Sequence, residues 1–306
     1  RSTLFPYTTL FRSPYSTTGA PALLINASDT RRSGPIVLLH IAVQHALECE
    51  IRSAADSLPH RRAFSIVRCT SGDPLLREYF IQVVLAAISD LDSSASPTAV
   101  NRVIKKLIEL FRAFESPARK SAQGLWAEVV VIALSSDPEF AIARWHRDAD
   151  EAFDFSDGQD RVEVKSFGGQ GRVHSFSLRQ ARPGISVRAM IASVRAERSS
   201  GGVTTLDLVS RLAERGISSS AQEKVRSVIA RSLGDSAPTG LSLAFDLQRA
   251  SESLRFFEAR DIPSVSEQLP RGVLSIRFES ILYEELALPT AALRTRGPLF
   301  AAISPT

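Results

Sequence analysis

Three charged residues in the middle of the chain have the types and spacing of a metal site. Asp154 precedes the short segment 156–159, and Glu163 and Lys165 follow it two residues apart. Neighbouring carboxylates repel each other unless a cation joins them, and a divalent ion with oxygen ligands, usually Mg²⁺, is the common solution. A lysine beside them can hold a water molecule or a phosphate. This set of groups suits metal-assisted hydrolysis of a phosphodiester.

A tight hairpin would bring these residues together. Asp157-Gly158 predicts a two-residue turn between strands, and we expect Asp154 to pair with Arg161 across it. Asp154 then shares a face with Glu163 and Lys165 and lies diagonal to Glu163, about 7–8 Å away between Cα atoms. The opposite, apolar face would carry Phe153, Phe155, Val162 and Val164. The alternative is an exposed charged hairpin with an ordinary Glu–Lys surface pair.

A helix that precedes the hairpin adds a third acid. Ser121 to Ser135 has helical length and strong helix formers, and Glu128 shares a face with apolar residues three and four positions away. A lone carboxylate is costly to bury without a partner, and the metal site could be that partner. The alternatives are a rim position or a glutamate paired with an arginine.

The order of these elements resembles the PD-(D/E)XK nuclease superfamily, in which a helix acid is followed by Asp on one strand and Glu-x-Lys on the next. More narrowly, the chain is similar to an uncharacterised PD-(D/E)XK-motif family whose members tend to accompany restriction and phage-defence genes. The similarity extends over about residues 20–290. Phe153 and Ala127 replace the expected Pro and Gly, and neither is a catalytic position. The segments that carry the resemblance are Gly124–Glu128, Trp145, Asp154-Phe155, Val162–Lys165 and His174–Gln180.

This resemblance implies a function and a role for each residue of the site. It implies a Mg²⁺-dependent DNA endonuclease, for which Mn²⁺ can substitute, in a restriction or phage-defence system. Asp154, Glu163 and the Val164 carbonyl would bind the metal, and Glu128 would complete or support the site. Lys165 would position the attacking water, with Gln180 as a supporting polar group. The alternative function is a non-catalytic DNA-binding or assembly subunit that retains the nuclease scaffold.

Further polar residues follow the motif. Arg161, Arg172 and His174 are candidates for contact with DNA, although a histidine next to a strand is often only structural. Ser177 to Gln180 has capping-box spacing, so Gln180 could cap a short helix instead of serving the site.

The amino-acid composition is that of an ordinary globular protein. The 306 residues are 44% hydrophobic and 23% charged, with a net charge of +4 and a pI near 9.3, which fits a nucleic-acid partner without requiring one. No apolar run approaches the ~18 residues of a membrane-spanning helix. Cys49 and Cys69 are the only cysteines and lack the spacing of a zinc site, so we expect buried thiols and a cytoplasmic location. Expected partners are DNA and methyltransferase or ATPase subunits of a defence system, with no membrane, and a homodimer is an open question.

The predicted fold class is α+β, with an N-terminal antiparallel β domain and a helical connector before a restriction-endonuclease-like αβββαβ core. Residues 1–13 resemble the translation of a sequencing adapter and are expected not to belong to the fold. Strands are predicted over Phe140–His146, Arg172–Phe176 and Leu241–Phe257, with a hairpin loop at 168–171 and a loose tail beyond Pro289. The predicted segments are 14–72 (β domain), 73–120 (connector), 121–235 (nuclease core) and 236–306 (β-rich segment and tail).

Overall fold

The structure is a computed structural model, and it describes residues 8–12, 20–26, 34–51, 60–89, 97–146, 152–265, 271–273 and 275–306. The chain divides into two compact units, one made of Arg1–Arg119 with Ile229–Gly240 and the other of Lys120–Val228 with Leu241–Thr306. None of the helices among the described residues is long and apolar enough to cross a membrane.

The first unit contains an antiparallel sheet and two helices, as predicted for the N-terminal part of the chain. The strands lie in the order β1-β2-β5-β4-β3, and they are β1 (Thr8–Arg12), β2 (Pro21–Asn26), β3 (Ile36–Val37), β4 (Ile41–Ile51) and β5 (His60–Cys69). Residues 1–7 and 13 of the suspected adapter segment lie outside the described residues. Thr8–Arg12, however, pairs with β2, a pairing that the sequence did not predict.

Two helices follow the sheet, α1 (Pro74–Ser89) and α2 (Pro97–Ala113). The Asp73 carboxylate accepts hydrogen bonds from the backbone N–H of Leu75 and Leu76, which satisfies two free donors at the start of α1. The helices share a buried aromatic cluster with edge-to-face contacts, formed by Tyr79, Phe80, Phe111 and Phe114.

The second unit is a mixed α+β structure, consistent with the predicted PD-(D/E)XK-like fold. Its helices are α3 (Ala122–Leu134), α4 (Pro138–Arg144), α5 (Leu178–Ala181), α6 (Thr205–Glu214), α7 (Ser219–Leu233, whose last residues belong to the first unit), α8 (Ala237–Ser242, assigned to both units), α9 (Leu247–Ser253), α10 (Thr290–Leu293) and α11 (Pro298–Ile303). Its strands are β6 (Phe155–Asp157), β7 (Asp160–Phe167), β8 (Val173–Ser177), β9 (Arg188–Arg195), β10 (Arg198–Thr204), β11 (Ala244–Phe245), β12 (Arg255–Glu258) and β13 (Arg277–Ile281).

The central sheet of this unit has the order β12-β9-β7-β6. The pair β7 and β9 is parallel and the other two pairs are antiparallel. Helix α3 packs against β7, and α11 packs against both α4 and β7. The strand that carries Glu163 and Lys165 therefore lies inside the sheet with a helix against it.

The hairpin forms, but the predicted register is wrong. Asp157 pairs with Asp160, and Phe155 pairs with Val162, so the turn residues are Gly158 and Gln159. Gly158 has a φ of 54°, a left-handed conformation that glycine adopts without strain. The observed partner of each residue lies two positions beyond the predicted one, so the same residues still share a face of the hairpin. Extending the pairing by one residue brings Asp154 directly opposite Glu163 instead of diagonal to it.

Several predicted strands of the second unit are wrong. Phe140–His146 contains most of helix α4, because Asp137 accepts a hydrogen bond from the Phe140 N–H at 2.9 Å and Pro138 occupies the first turn. The segment 168–171 is not a hairpin loop, since β8 pairs with β13 and not with β7. Leu241–Phe257 contains the end of α8, β11, the whole of α9 and most of β12. The residues beyond Pro289 form α10 and α11, and α11 buries Leu299, Phe300 and Ile303.

Candidate metal centre

Glu128 is the buried acid of helix α3. Ser121 caps this helix, since its Oγ accepts a hydrogen bond from the Gly124 N–H at 3.1 Å. The Glu128 residue is only 2% exposed. Its Oε1 accepts from Lys120 Nζ at 2.5 Å, and its Oε2 accepts from Trp145 Nε1 at 2.8 Å and lies 2.7 Å from His146 Nε2. Burial opposes the charged form, but the contacts with His146 and Lys120 prevail and lower the pKa of Glu128.

Asp154 lies at the start of the hairpin and is also buried. Its Oδ1 accepts from Lys120 Nζ at 2.5 Å, and its Oδ2 accepts from the Val164 N–H at 2.7 Å. The second bond ties the carboxylate to strand β7. Burial and the negative charge of Glu128 raise the pKa of Asp154 above its ordinary value.

Glu163 and Lys165 form an ion pair on β7, with 2.8 Å between Oε1 and Nζ. Burial and the charge of nearby Asp154 raise the pKa of Glu163 to about 8. Glu163 therefore holds a proton more readily than an ordinary glutamate does, because burial and a neighbouring carboxylate oppose its charge.

Gln180 caps helix α5 and also contacts Lys165. It completes the capping box of α5, since its side chain accepts from the Ser177 N–H at 3.1 Å and its own N–H donates to Ser177 Oγ at 3.3 Å. The same Oε1 accepts from Lys165 Nζ at 3.3 Å, while Nε2 donates to the Ala152 carbonyl at 3.0 Å. Gln180 thus fixes one end of α5 and contacts the lysine of the motif.

Two residues that sequence reasoning missed, Lys120 and His146, complete the cluster. Glu128, His146 and Asp154 each offer a ligand atom, and these atoms lie within 4.8 Å of one another. His146 has a φ of 41°, a left-handed conformation that is uncommon outside glycine and is found more often at functional sites. Its N–H donates to the Asp154 carbonyl at 2.9 Å, which holds the histidine beside the hairpin.

The candidates for DNA contact have partners inside the protein. Arg172 is 5% exposed and donates to Glu284, to Ser193 and to the Ser253 carbonyl. His174 is 4% exposed and lies 2.8 Å from Ser193 Oγ, and burial lowers its pKa to about 4, so the ring is neutral. Arg161 donates to the turn carbonyls of Gly158 and Asp160. Burial thus places Arg172 and His174 in the interior, while Arg161 is partly exposed at the hairpin turn.

The chemistry of the donors fits a divalent metal ion. The buried carboxylates of Glu128 and Asp154 offer the oxygen ligands that Mg²⁺ and Mn²⁺ prefer, and His146 adds a nitrogen. The Lys120 ammonium already occupies the space between two of the carboxylates as a positive charge. The two carboxylates that hold the Lys120 ammonium have the negative charge that a divalent metal ion also requires.

A buried helix acid, an acid at the hairpin and Glu-Val-Lys on a central strand are the arrangement that the resemblance to the PD-(D/E)XK fold implies. The family described as "Putative PD-(D/E)XK family member, (DUF4420)" matches residues 19–283, and the chain belongs to this family. No curated protein and no solved structure matches the chain.

Proposed function

We propose that this protein is a metal-dependent nuclease that hydrolyses phosphodiester bonds of DNA with Mg²⁺ or Mn²⁺. The observation that carries the proposal is one buried pocket that joins the acids of α3 and of the hairpin. Lys120 contacts Glu128 and Asp154 at 2.5 Å each, and the Asp154 charge acts on Glu163 next to Lys165. Membership of a PD-(D/E)XK family supports the same reaction.

Several residues of the pocket would bind the metal ion, and others would orient them. Asp154 and Glu163 would hold the ion, with Glu128 as a further ligand and the Val164 carbonyl as the expected backbone ligand. A bound divalent ion supplies Lewis-acid catalysis and neutralises charge on the phosphate. The hydrogen bonds from the Val164 N–H to Asp154 and from Trp145 to Glu128 fix the direction of two of the carboxylates.

Lys165 is the candidate residue for orienting the attacking water and stabilising the phosphate in the transition state. Glu163 and Gln180 hold its ammonium from two sides, so its position does not depend on substrate. From there the ammonium can orient an attacking water and offset the negative charge that grows on the phosphate in the transition state. Gln180 acts on the reaction through the lysine.

The biological setting is part of the proposal and depends on the resemblance. We propose action on foreign DNA in a restriction or phage-defence system in the cytoplasm, with methyltransferase or ATPase subunits as partners and a homodimer as one way to cut both strands. A non-catalytic DNA-binding or assembly subunit is the second candidate. The complete Asp154, Glu163 and Lys165 set favours catalysis, because a site without activity tends to lose charges that are costly to cluster.

Cleavage of supercoiled plasmid by the purified protein tests the proposal. We expect nicking with Mg²⁺ or Mn²⁺, no nicking with EDTA, and a loss of about 100-fold or more in Lys165→Ala. Lys105→Ala is the matched control, since Lys105 is an exposed lysine of α2. Unchanged cleavage by folded Lys165→Ala would refute the assigned mechanism, and DNA binding without nicking would favour the non-catalytic subunit.

A further inference from the structure

The Lys120 ammonium has three partners inside the pocket. Its Nζ lies 2.5 Å from Glu128 Oε1, 2.5 Å from Asp154 Oδ1 and 3.1 Å from His146 Nε2. These are the same three residues whose ligand atoms lie within 4.8 Å of one another. Oxygen ligands of Mg²⁺ or Ca²⁺ lie about 2.0–2.6 Å from the ion, so Lys120 Nζ occupies the space that an ion bound to these residues would take.

A lysine in this place neutralises the pocket when no metal is bound. Glu128 and Asp154 are 2% and 4% exposed, and two buried carboxylates are strongly destabilising unless a cation compensates them. One ammonium that contacts both acids supplies this compensation. An ammonium and a divalent ion would repel each other at such short range, so only one of them can stay between the two acids.

The Lys120 side chain is also able to move out of the pocket, unlike that of Lys165. The side chain of Lys120 is 29% exposed, and its backbone precedes Ser121, the N-cap of α3, so it lies outside the helix. Its long, unbranched stem can carry the ammonium towards water. Lys165 is 18% exposed and is held by both Glu163 and Gln180.

We propose that Lys120 is an internal counter-ion that occupies the Glu128–His146–Asp154 pocket in the metal-free protein and is displaced when a divalent ion binds there. This inference rests on the proposed metal-binding function and adds a regulatory consequence. It places the ion at Glu128, His146 and Asp154, whose ligand atoms lie within 4.8 Å of one another, a group that shares Asp154 and Glu128 with the proposed ligands. The metal-free protein remains folded because the lysine replaces the ion. Metal binding must break two buried ion pairs, which raises the metal concentration at which the site fills.

Mn²⁺ binding by the whole protein, measured by calorimetry, tests the competition. We expect Lys120→Met, which keeps the stem and removes the charge, to bind Mn²⁺ about tenfold or more tighter, because a competing cation is gone. Without metal, the melting temperature of Lys120→Met should be lower than that of the wild type. Addition of Mn²⁺ should raise it by more than it raises the melting temperature of the wild type. Lys105→Met should match the wild type in both. Mn²⁺ affinity of Lys120→Met that is unchanged or weaker would overturn the proposal.

Acetylation of lysines in the unmodified protein, read by mass spectrometry, decides the matter if Lys120→Met does not fold. Saturating Mn²⁺ should raise the labelling of Lys120 several-fold and leave that of Lys105 unchanged. Lys120 that stays protected with Mn²⁺ bound would overturn the displacement.

The two proposals fail in different ways. If Lys120→Met binds Mn²⁺ more tightly but the wild-type protein does not cleave plasmid, the counter-ion proposal stands and the nuclease proposal is refuted. Metal-dependent cleavage by the wild type, together with unchanged Mn²⁺ affinity in Lys120→Met, would do the reverse.

Discussion

Gln180 connects the end of a short helix to the lysine of the motif, and this double role gives a prediction at the scale of one residue. Gln180→Ala removes the contact with Lys165 Nζ and also the capping-box hydrogen bond that the Gln180 side chain accepts from the Ser177 N–H. We expect cleavage to fall by about tenfold or more, because the ammonium loses one of its two fixed partners. The loss of the cap should lower the free energy of unfolding by about 1 kcal/mol. Plasmid cleavage and urea denaturation measure the two effects.

Ser177→Ala is the matched control for this prediction. It removes the other half of the same capping box and leaves the Oε1 of Gln180 next to Lys165. Stability should fall by a similar amount, about 1 kcal/mol, while cleavage stays near the wild-type rate. Equal losses of cleavage in both variants would mean that Gln180 acts only by holding α5.

The sequence indicated the candidate residues that lie in a local pattern, and it gave no sign of those that only the fold brings next to them. Strand alternation predicted a shared face for Asp154, Glu163 and Lys165, and this prediction does not change when the register is wrong by two residues. Lys120 and His146 belong to no pattern of their own. Lys120 reaches the pocket from before a helix, and His146 reaches it from the end of another. Burial likewise separates Arg172 and His174 from solvent, and neither their residue types nor their spacing indicated it.

Helix α4 is the element that carries Trp145 and His146 to Glu128, and its start offers a second prediction. Asp137→Ala removes the side chain that accepts from the Phe140 N–H. We expect the free energy of unfolding to fall by about 0.5–2 kcal/mol, because a donor at the helix N-terminus loses its partner. Asp137→Ser should recover most of this loss, since serine is also a good N-cap. Urea denaturation checks both, and equal stability of the Ala and Ser variants would contradict the role of the cap.

The same element shows why local pattern reasoning fails over short segments. The seven residues of α4 are too few for a helical periodicity, and the apolar residues in Phe140–His146 can equally indicate a strand. The Asp-Pro pair that begins the helix was the better signal. The pairing of β8 with β13, about one hundred residues later, leaves no mark in the sequence around β8.

The whole chain is not divided at a single point, and this gives the third prediction. Residues 229–240 belong to the first unit, where the Asp235 N–H donates to the Ser116 carbonyl at 2.8 Å and the Arg119 N–H donates to Ser232 at 2.9 Å. Gly234 has a φ of 49°, and a Cβ there would overlap the Ser116 carbonyl oxygen. We expect Gly234→Ala to lower the free energy of unfolding by about 3 kcal/mol, from backbone strain plus overlap.

Gly216→Ala separates these two causes. Gly216 also has a positive φ, 80°, but a Cβ there would meet nothing within 4 Å. Gly216→Ala should therefore lower the free energy of unfolding only through backbone strain, by about 1–2 kcal/mol. Equal losses at both positions, measured by thermal or urea unfolding, would show that the overlap relaxes freely. The start of the Glu128 helix predicts a boundary near residue 120, but the return of 229–240 to the first unit could not be read from sequence, because it depends on contacts between residues far apart in the chain.

The link between pH, metal and stability belongs to the whole molecule and follows from Glu163. The pKa of Glu163 is raised to about 8 from an ordinary value of 4.5, so folding of the metal-free chain takes up a proton between these values. The stabilising contribution of protonated Glu163 is complete below the ordinary value and is lost as pH rises through about 8. At the proposed site a divalent ion would need this carboxylate, so we expect its binding to release that proton and to tighten as pH rises through the same range.

We therefore expect the rise in melting temperature caused by Mg²⁺ to be small near pH ~6 and larger near pH ~8.5, because stabilisation by a ligand grows with its affinity. Thermal unfolding with Mg²⁺ and with EDTA at both pH values measures the difference. Glu163→Gln is the control: its amide does not titrate, so the metal-free variant should lose less stability over this range and the effect of Mg²⁺ should depend less on pH. A Mg²⁺ effect of equal size at both pH values in the wild type would show that Glu163 does not exchange its proton for the ion.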